Sequence, residues 1–188
     1  MKLAPLIAAL ALAASAGAAS AASVDDIAIR DPGLKTTKIL KVTSPAITPG
    51  GAVPEVYTGF GKGVSPPVAW SKGPYGARSF VLLVEDPDAP LPVPFVHWMV
   101  WGLPAATTRI AEGAVPAGAR QGKLMFVGTV GYMGPRPPDA APHHYHFQVF
   151  ALDSELALPE GAERAAVVAA MKGHVLASGE LVGVYQKK

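Results

Sequence analysis

Prolines and glycines interrupt this chain too often for a helical bundle. Twenty glycines and 19 prolines make up about a fifth of the 188 residues, a density that favours short strands joined by turns. Three stretches escape the interruption and read as buried strands. SFVLLVE (79–85) is a continuous apolar run of the kind buried on both faces, and DPDAPLPVP (86–94) stops it. FVHWMVWGLP (95–104) follows, its alternation setting Phe95, His97, Met99 and Trp101 on one face and Val96, Trp98 and Val100 on the other. In HHYHFQVFAL (143–152), His143, Tyr145, Phe147 and Val149 share a face, while His144, His146 and Gln148 share the opposite one. Shorter strands are expected at VAW (68–70) and ELVGVY (180–185). One clear helix is expected over 160–176, where Val167, Val168, Met171 and Val175 recur at helical spacing behind Pro159. The fold class is mostly β, with long proline-rich loops and one or two helices near the C-terminus.

Residues 1–22 read as a secretory signal peptide. Lys2 precedes an apolar core from Leu3 to about Ala14, and both Ala16-Gly17-Ala18 and Ala19-Ser20-Ala21 fit the A-x-A cleavage pattern. The apolar core is shorter than the roughly 20 residues a membrane-spanning helix needs. A periplasmic or secreted protein is therefore expected, with 23–188 folding as one domain. The absence of cysteine removes disulfides, thiolate metal sites and thiol nucleophiles together. Sixteen basic and 14 acidic residues, with no run of lysine or arginine, offer no track for nucleic acid. Past the leader no apolar stretch reaches 18 residues, so no transmembrane segment is expected.

Three of the five histidines crowd into GPRPPDAAPHHYHF (134–147). A metal site could start from His144-x-His146, but no H-E-x-x-H occurs and the next carboxylates, Asp153 and Glu155, lie beyond the strand. Both histidines are expected to face solvent, with no metal or organic cofactor. A hydrolase would need an activated serine, and no G-x-S-x-G elbow exists. GFGKGV is a poor nucleotide loop, because Val64 stands where a third glycine is required. An anion site accounts for more. Asp86 at a strand end can orient an imidazole, His97 and His143 can converge N–H groups on a phosphate, and Tyr145 adds a hydroxyl on the same face. Gly134 would let backbone N–H groups approach the ligand, and the flanking prolines would fix the loop beforehand.

VLLVEDPDAP, the His97-Trp98 strand and GYMGPRPPDAAPHHYHF, with SPPVAW (65–70) and HVLASGELVGVY (174–185), together resemble the phosphatidylethanolamine-binding protein family. The similarity is strongest to its bacterial, Raf-kinase-inhibitor-like (YbhB/YbcL) branch and runs from about Ile39 to Tyr185. The resemblance implies an antiparallel β-sandwich of Greek-key type and a small pocket for a phosphate-type anion or phospholipid head group. By motif, Asp86 would line that pocket, with Ala89 and Pro90 as its wall. His97 would stand on the following strand, and the Gly134 loop, including Pro137 and Pro138, would close against His143 and Tyr145. Arg136 departs from the small residue usual there, and either adds a cation at the rim or points to solvent. A ligand-binding protein rather than an enzyme is the reading favoured, with an inhibitory or regulatory role among those attributed to relatives. The alternatives are a hydrolase using the His/Asp pocket, and a homodimeric interaction or protease-inhibitor module.

Overall fold

The computed structural model describes residues 20–125 and 127–188, so residues 1–19 of the expected leader lie outside the described residues. The strands are β1 (Val42–Thr43), β2 (Val68–Trp70), β3 (Ser79–Asp86), β4 (Phe95–Pro104), β5 (Arg109–Ile110), β6 (Arg120–Gln121), β7 (His143–Leu152) and β8 (Val175–Tyr185), with α1 (Arg164–Met171) between β7 and β8. They form a three-stranded sheet, β1-β2-β5, and a five-stranded sheet, β6-β4-β3-β7-β8. Every pairing between these strands is antiparallel.

Two apolar layers enclose the large sheet. On one face, Phe80, Leu82 and Val84 of β3 and Phe147 and Val149 of β7 pack against Val42, Val68, Trp70 and Ile110 of the small sheet. On the other, Val81, Leu83, Phe150 and Leu152 meet Val167, Val168 and Met171 of α1 and Ala28 and Leu34 of the N-terminal segment. All eight residues of β3 are buried, as a strand covered on both faces must be. Burying each large apolar side chain in these layers contributes about 1.5–3 kcal/mol.

The structure corrects four local expectations. The helix is shorter than 160–176. Gly161 (φ 78°) and Gly173 (φ 80°) take left-handed backbone on either side of it, and Val175 opens β8 instead of closing the helix. The last strand accordingly spans 11 residues rather than the six of 180–185. The simple alternation of β4 also fails. Val84 pairs with Trp98 but Glu85 pairs with Val96, so His97 is the extra residue of a β-bulge. Beyond it the parity reverses: Trp98 and Val100 join the inter-sheet core, whereas Met99 and Trp101 join Val96 on the opposite face.

The fourth correction concerns His146, which is buried rather than solvent-facing. Its Nδ1 lies 3.0 Å from Glu180 Oε2, and Arg30 pairs with the other oxygen of that carboxylate. Arg30 belongs to a run of 3-10 turns (Val24–Asp26, Ala28–Arg30, Pro32–Leu34) laid across the back of the sheet. Such turns have no helix or strand period, so the sequence pattern gave no warning of a cover there. His144 is half exposed, but Asp88 Oδ2 accepts from both its backbone N–H and, at 2.8 Å, its ring Nδ1.

Candidate anion site

The ends of β3, β4 and β7 converge on a cavity of about 260 Å³ between the two proline-rich loops. Asp86, Ala89, Pro90, His97, Pro137, Pro138, His143 and Tyr145 line it, together with Arg136. Eight of the nine residues picked out by sequence thus share one cavity, and Gly134 is the exception. A Cβ on Gly134 would meet Tyr57 O and Thr58 C at 2.6 Å and Gly59 N at 2.8 Å. Its missing side chain lets two backbone segments touch behind the pocket wall, rather than admitting a ligand. Gly134→Ala should therefore cost about 1–3 kcal/mol, the usual penalty for overpacking, as a fall in the midpoint of chemical unfolding.

Asp86 is fixed at both oxygens. Oδ1 accepts from the Asp88 N–H at 2.9 Å, closing the turn of the D-P-D-A-P motif. Oδ2 lies 2.7 Å from Nδ1 of His143 and 3.9 Å from Nε2 of His97. Burial by itself pushes the Asp86 carboxyl up, but its contacts with His97 and His143 outweigh this and hold it below the ordinary 3.8. It is a carboxylate at neutral pH, so Nδ1–H of His143 must be the donor.

The bulge in β4 does the same for the second imidazole. It frees the His97 carbonyl to accept from the Met133 N–H at 2.8 Å. The His97 ring returns the contact, Nδ1–H donating to Met133 O at 2.7 Å. Main-chain bonding thereby sets the tautomer and clamps the GPRPP loop to β4. Gly59 N–H holds the next turn of that loop through Pro135 O, at 2.9 Å.

Tyr145 stands between the two imidazoles, edge-on to His97 at 5.0 Å and stacked on His143 at 6.5 Å between ring centroids. Its buried hydroxyl has no hydrogen-bond partner among the described residues. Burial, with the neighbouring Asp86 charge, pushes its pKa up, so it remains a neutral O–H donor.

Arg136 both borders the cavity and lies over an aromatic ring, its Cζ 5.8 Å from the Phe60 centroid. Gly59 leaves the space beside the Arg136 chain, where a Cβ would sit 3.1 Å from Arg136 Cβ. Leu91, Phe95 and Met133 also line the cavity but were not singled out by sequence. Alternation does put Phe95 on the His97 side, so that signal existed. Met133 acts partly through its carbonyl, which no side-chain pattern announces.

A β-sandwich with an Asp–His–His–Tyr pocket between two proline-rich loops is the class of protein that fold and site define. The phosphatidylethanolamine-binding protein family matches residues 43–186, and the chain belongs to that family. It is 41% identical over 152 residues to a UPF0098 protein of Chlamydia trachomatis, covering 79% of this chain and 99% of that one. A UPF0098 protein of Aquifex aeolicus is 43% identical over 155 residues, covering 79% and 90%. The crystal structure of Escherichia coli YbcL, described as a member of the mammalian PEBP family, superposes with a TM-score of 0.74 at 33% identity, covering 79% of this chain and 99% of YbcL.

Proposed function

We propose that this is an exported receptor for a phosphate-type anion, either a phospholipid head group or a small phosphorylated molecule. The observation that carries the reading is the shared wiring of the two pocket histidines. Each has Nδ1 committed, one to Asp86 and one to Met133 O, which leaves Nε2 to meet a ligand, that of His97 lying also 3.9 Å from Asp86 Oδ2. With Nδ1 protonated, a neutral ring presents a lone pair at Nε2, which repels an anion; only the imidazolium donates there. Asp86 balances one positive charge, so two imidazolium rings leave the cluster with net charge +1, whereas two neutral rings leave it at −1. Only the positively charged form of the cluster suits an anion. The unpartnered Tyr145 hydroxyl supplies a further donor that carries no charge.

Among the described residues no serine, threonine or cysteine, the nucleophiles of the usual hydrolases, lines the cavity. Binding rather than turnover is the chemistry these residues favour. His97, His143 and Tyr145 would donate to the phosphate oxygens, and Asp86 would orient His143. Ala89, Pro90, Pro137 and Pro138 form walls already stiff before the ligand arrives, which lowers the ordering cost of binding.

Equilibrium dialysis with inorganic phosphate, phosphoethanolamine and ethanolamine tests this reading. The first two are expected to compete for one site, and ethanolamine to leave it empty. Binding of ethanolamine alone, or of none of the three, contradicts the reading.

A further inference from the structure

The amino end of the fold meets the pocket at one point. Ala22 N–H donates to Leu91 O at 2.7 Å, and Leu91 lines the cavity. Regular structure starts immediately afterwards, where Ser23 and Asp26 form a reciprocal capping box around the first 3-10 turn. The stretch it touches has little else to hold it. Pro90, Pro92 and Pro94 have no N–H, and Leu91 N–H turns back onto Ala89 O. Among the described residues, the bond from Ala22 is the hydrogen bond that ties Leu91–Val93 to another segment.

Two independent features coincide here. Ala19-Ser20-Ala21 satisfies the pattern for cleavage after Ala21, and Ala22 is the first residue to bond to the fold. Ala21 is exposed, so the bond lies within reach of a protease. We propose that the chain is cut between Ala21 and Ala22, one residue before the 22/23 boundary expected from the sequence, and that the new N-terminus is a working part of the pocket wall. This rests on the export and anion readings above.

Water adds across the Ala21–Ala22 amide in a signal-peptidase reaction. Ala21 leaves with the new carboxylate and Ala22 keeps the amine, which takes up a proton. An amide with a single N–H thus becomes an ammonium with three, and its bond to Leu91 O becomes charge-assisted. The same cut puts a positive charge beside a cavity suited to an anion. Export and completion of the site become a single event.

The first arm of the test is intact mass of the protein exported by a bacterial host. A chain beginning at Ala22 is expected; one beginning at Ala19, or retaining the leader, overturns the assignment. The second arm compares phosphate affinity of chains 22–188, 23–188 and 19–188 made with defined ends. Removing Ala22 should weaken phosphate binding roughly 2- to 10-fold, the range one hydrogen bond commands, with the melting temperature unchanged. Chain 19–188 keeps an amide without the charge and should fall between the other two. Equal affinities for 22–188 and 23–188 overturn the wall role. If no chain binds phosphate, the anion reading fails, and hydrogen exchange at Leu91 and Val93 then decides the docking alone. Faster exchange in 23–188 than in 22–188 supports it, and equal exchange refutes it.

Discussion

Replacing His143 with alanine is expected to weaken phosphate binding about 10- to 100-fold, because a hydrogen bond to a charged group is worth roughly 1.5–3 kcal/mol. The variant loses an imidazolium donor, and it also unmasks a charge. Asp86 Oδ2 loses the partner at 2.7 Å and remains a carboxylate facing the cavity, with His97 Nε2 still 3.9 Å away. Both effects oppose an anion. His144→Ala is the matched control: this side chain is half exposed, points to the other side of β7 and pairs with Asp88 rather than Asp86. Its affinity should stay within about twofold of wild type, since a surface pair of this kind contributes little. Titrating both variants beside wild type, with melting curves to confirm folding, checks the pair. Equal losses in the two would remove His143 from the site.

Glu85→Ala should cost about 3–5 kcal/mol of stability, the range for breaking a buried ion pair by removing one partner. Glu85 is fully buried on the back of β3, beside Asp86 in sequence but on the opposite face. Its carboxylate pairs with Arg164 of α1, and it accepts from Ala28 N–H at 2.7 Å and Gln148 Nε2 at 2.8 Å. Gln148 in turn accepts from Ile29 N–H at 2.6 Å. Alanine leaves the half-buried guanidinium with Asp26 O alone and orphans two buried N–H donors, and the N-terminal segment loses one of its anchors. Urea unfolding measures the loss, and a change below about 1 kcal/mol would show that water or neighbouring groups replace the carboxylate.

Acid should loosen the same region. Burial pushes the Glu180 carboxyl up, but His146 and Arg30 outweigh it and hold the group below 4.5, as the two histidines hold Asp86 below 3.8. Carboxylates lowered on folding contribute stability that is complete above their unfolded values and lost as pH falls through the folded ones. Unfolding free energy should therefore drop below about pH 4.5. Glu180→Gln should remove part of that slope in a denaturation series at pH 7, 4 and 3.

Much of the site could be read in the sequence because its side chains sit on strands, where a period of two assigns faces. His143 and Tyr145, two residues apart, share a face by that period; Asp86 stands out as the end of a solid apolar run, and the loop residues Ala89, Pro90, Pro137 and Pro138 are legible only through the family resemblance. Where the period breaks, the reading broke too. The bulge at His97 reverses β4 as far as Trp101, a second register shift sets Leu103 back on the inter-sheet side, and both depend on pairing with β3, which the β4 residues do not encode locally. His146 and Gln148 look like an exposed polar edge until the N-terminal turns are laid over them. Glycine signals close approach without saying of what, and at Gly134 it is the Tyr57–Gly59 backbone that comes close.

The central claim is that the pocket of Asp86, His97, His143 and Tyr145 holds a phosphate-type anion. Calorimetric titration of chain 22–188 with phosphoethanolamine, beside its His143→Ala variant, measures this directly. One saturable site is predicted in the parent chain, with affinity much weakened in the variant. No saturable binding, or equal affinity in the two, would contradict the account.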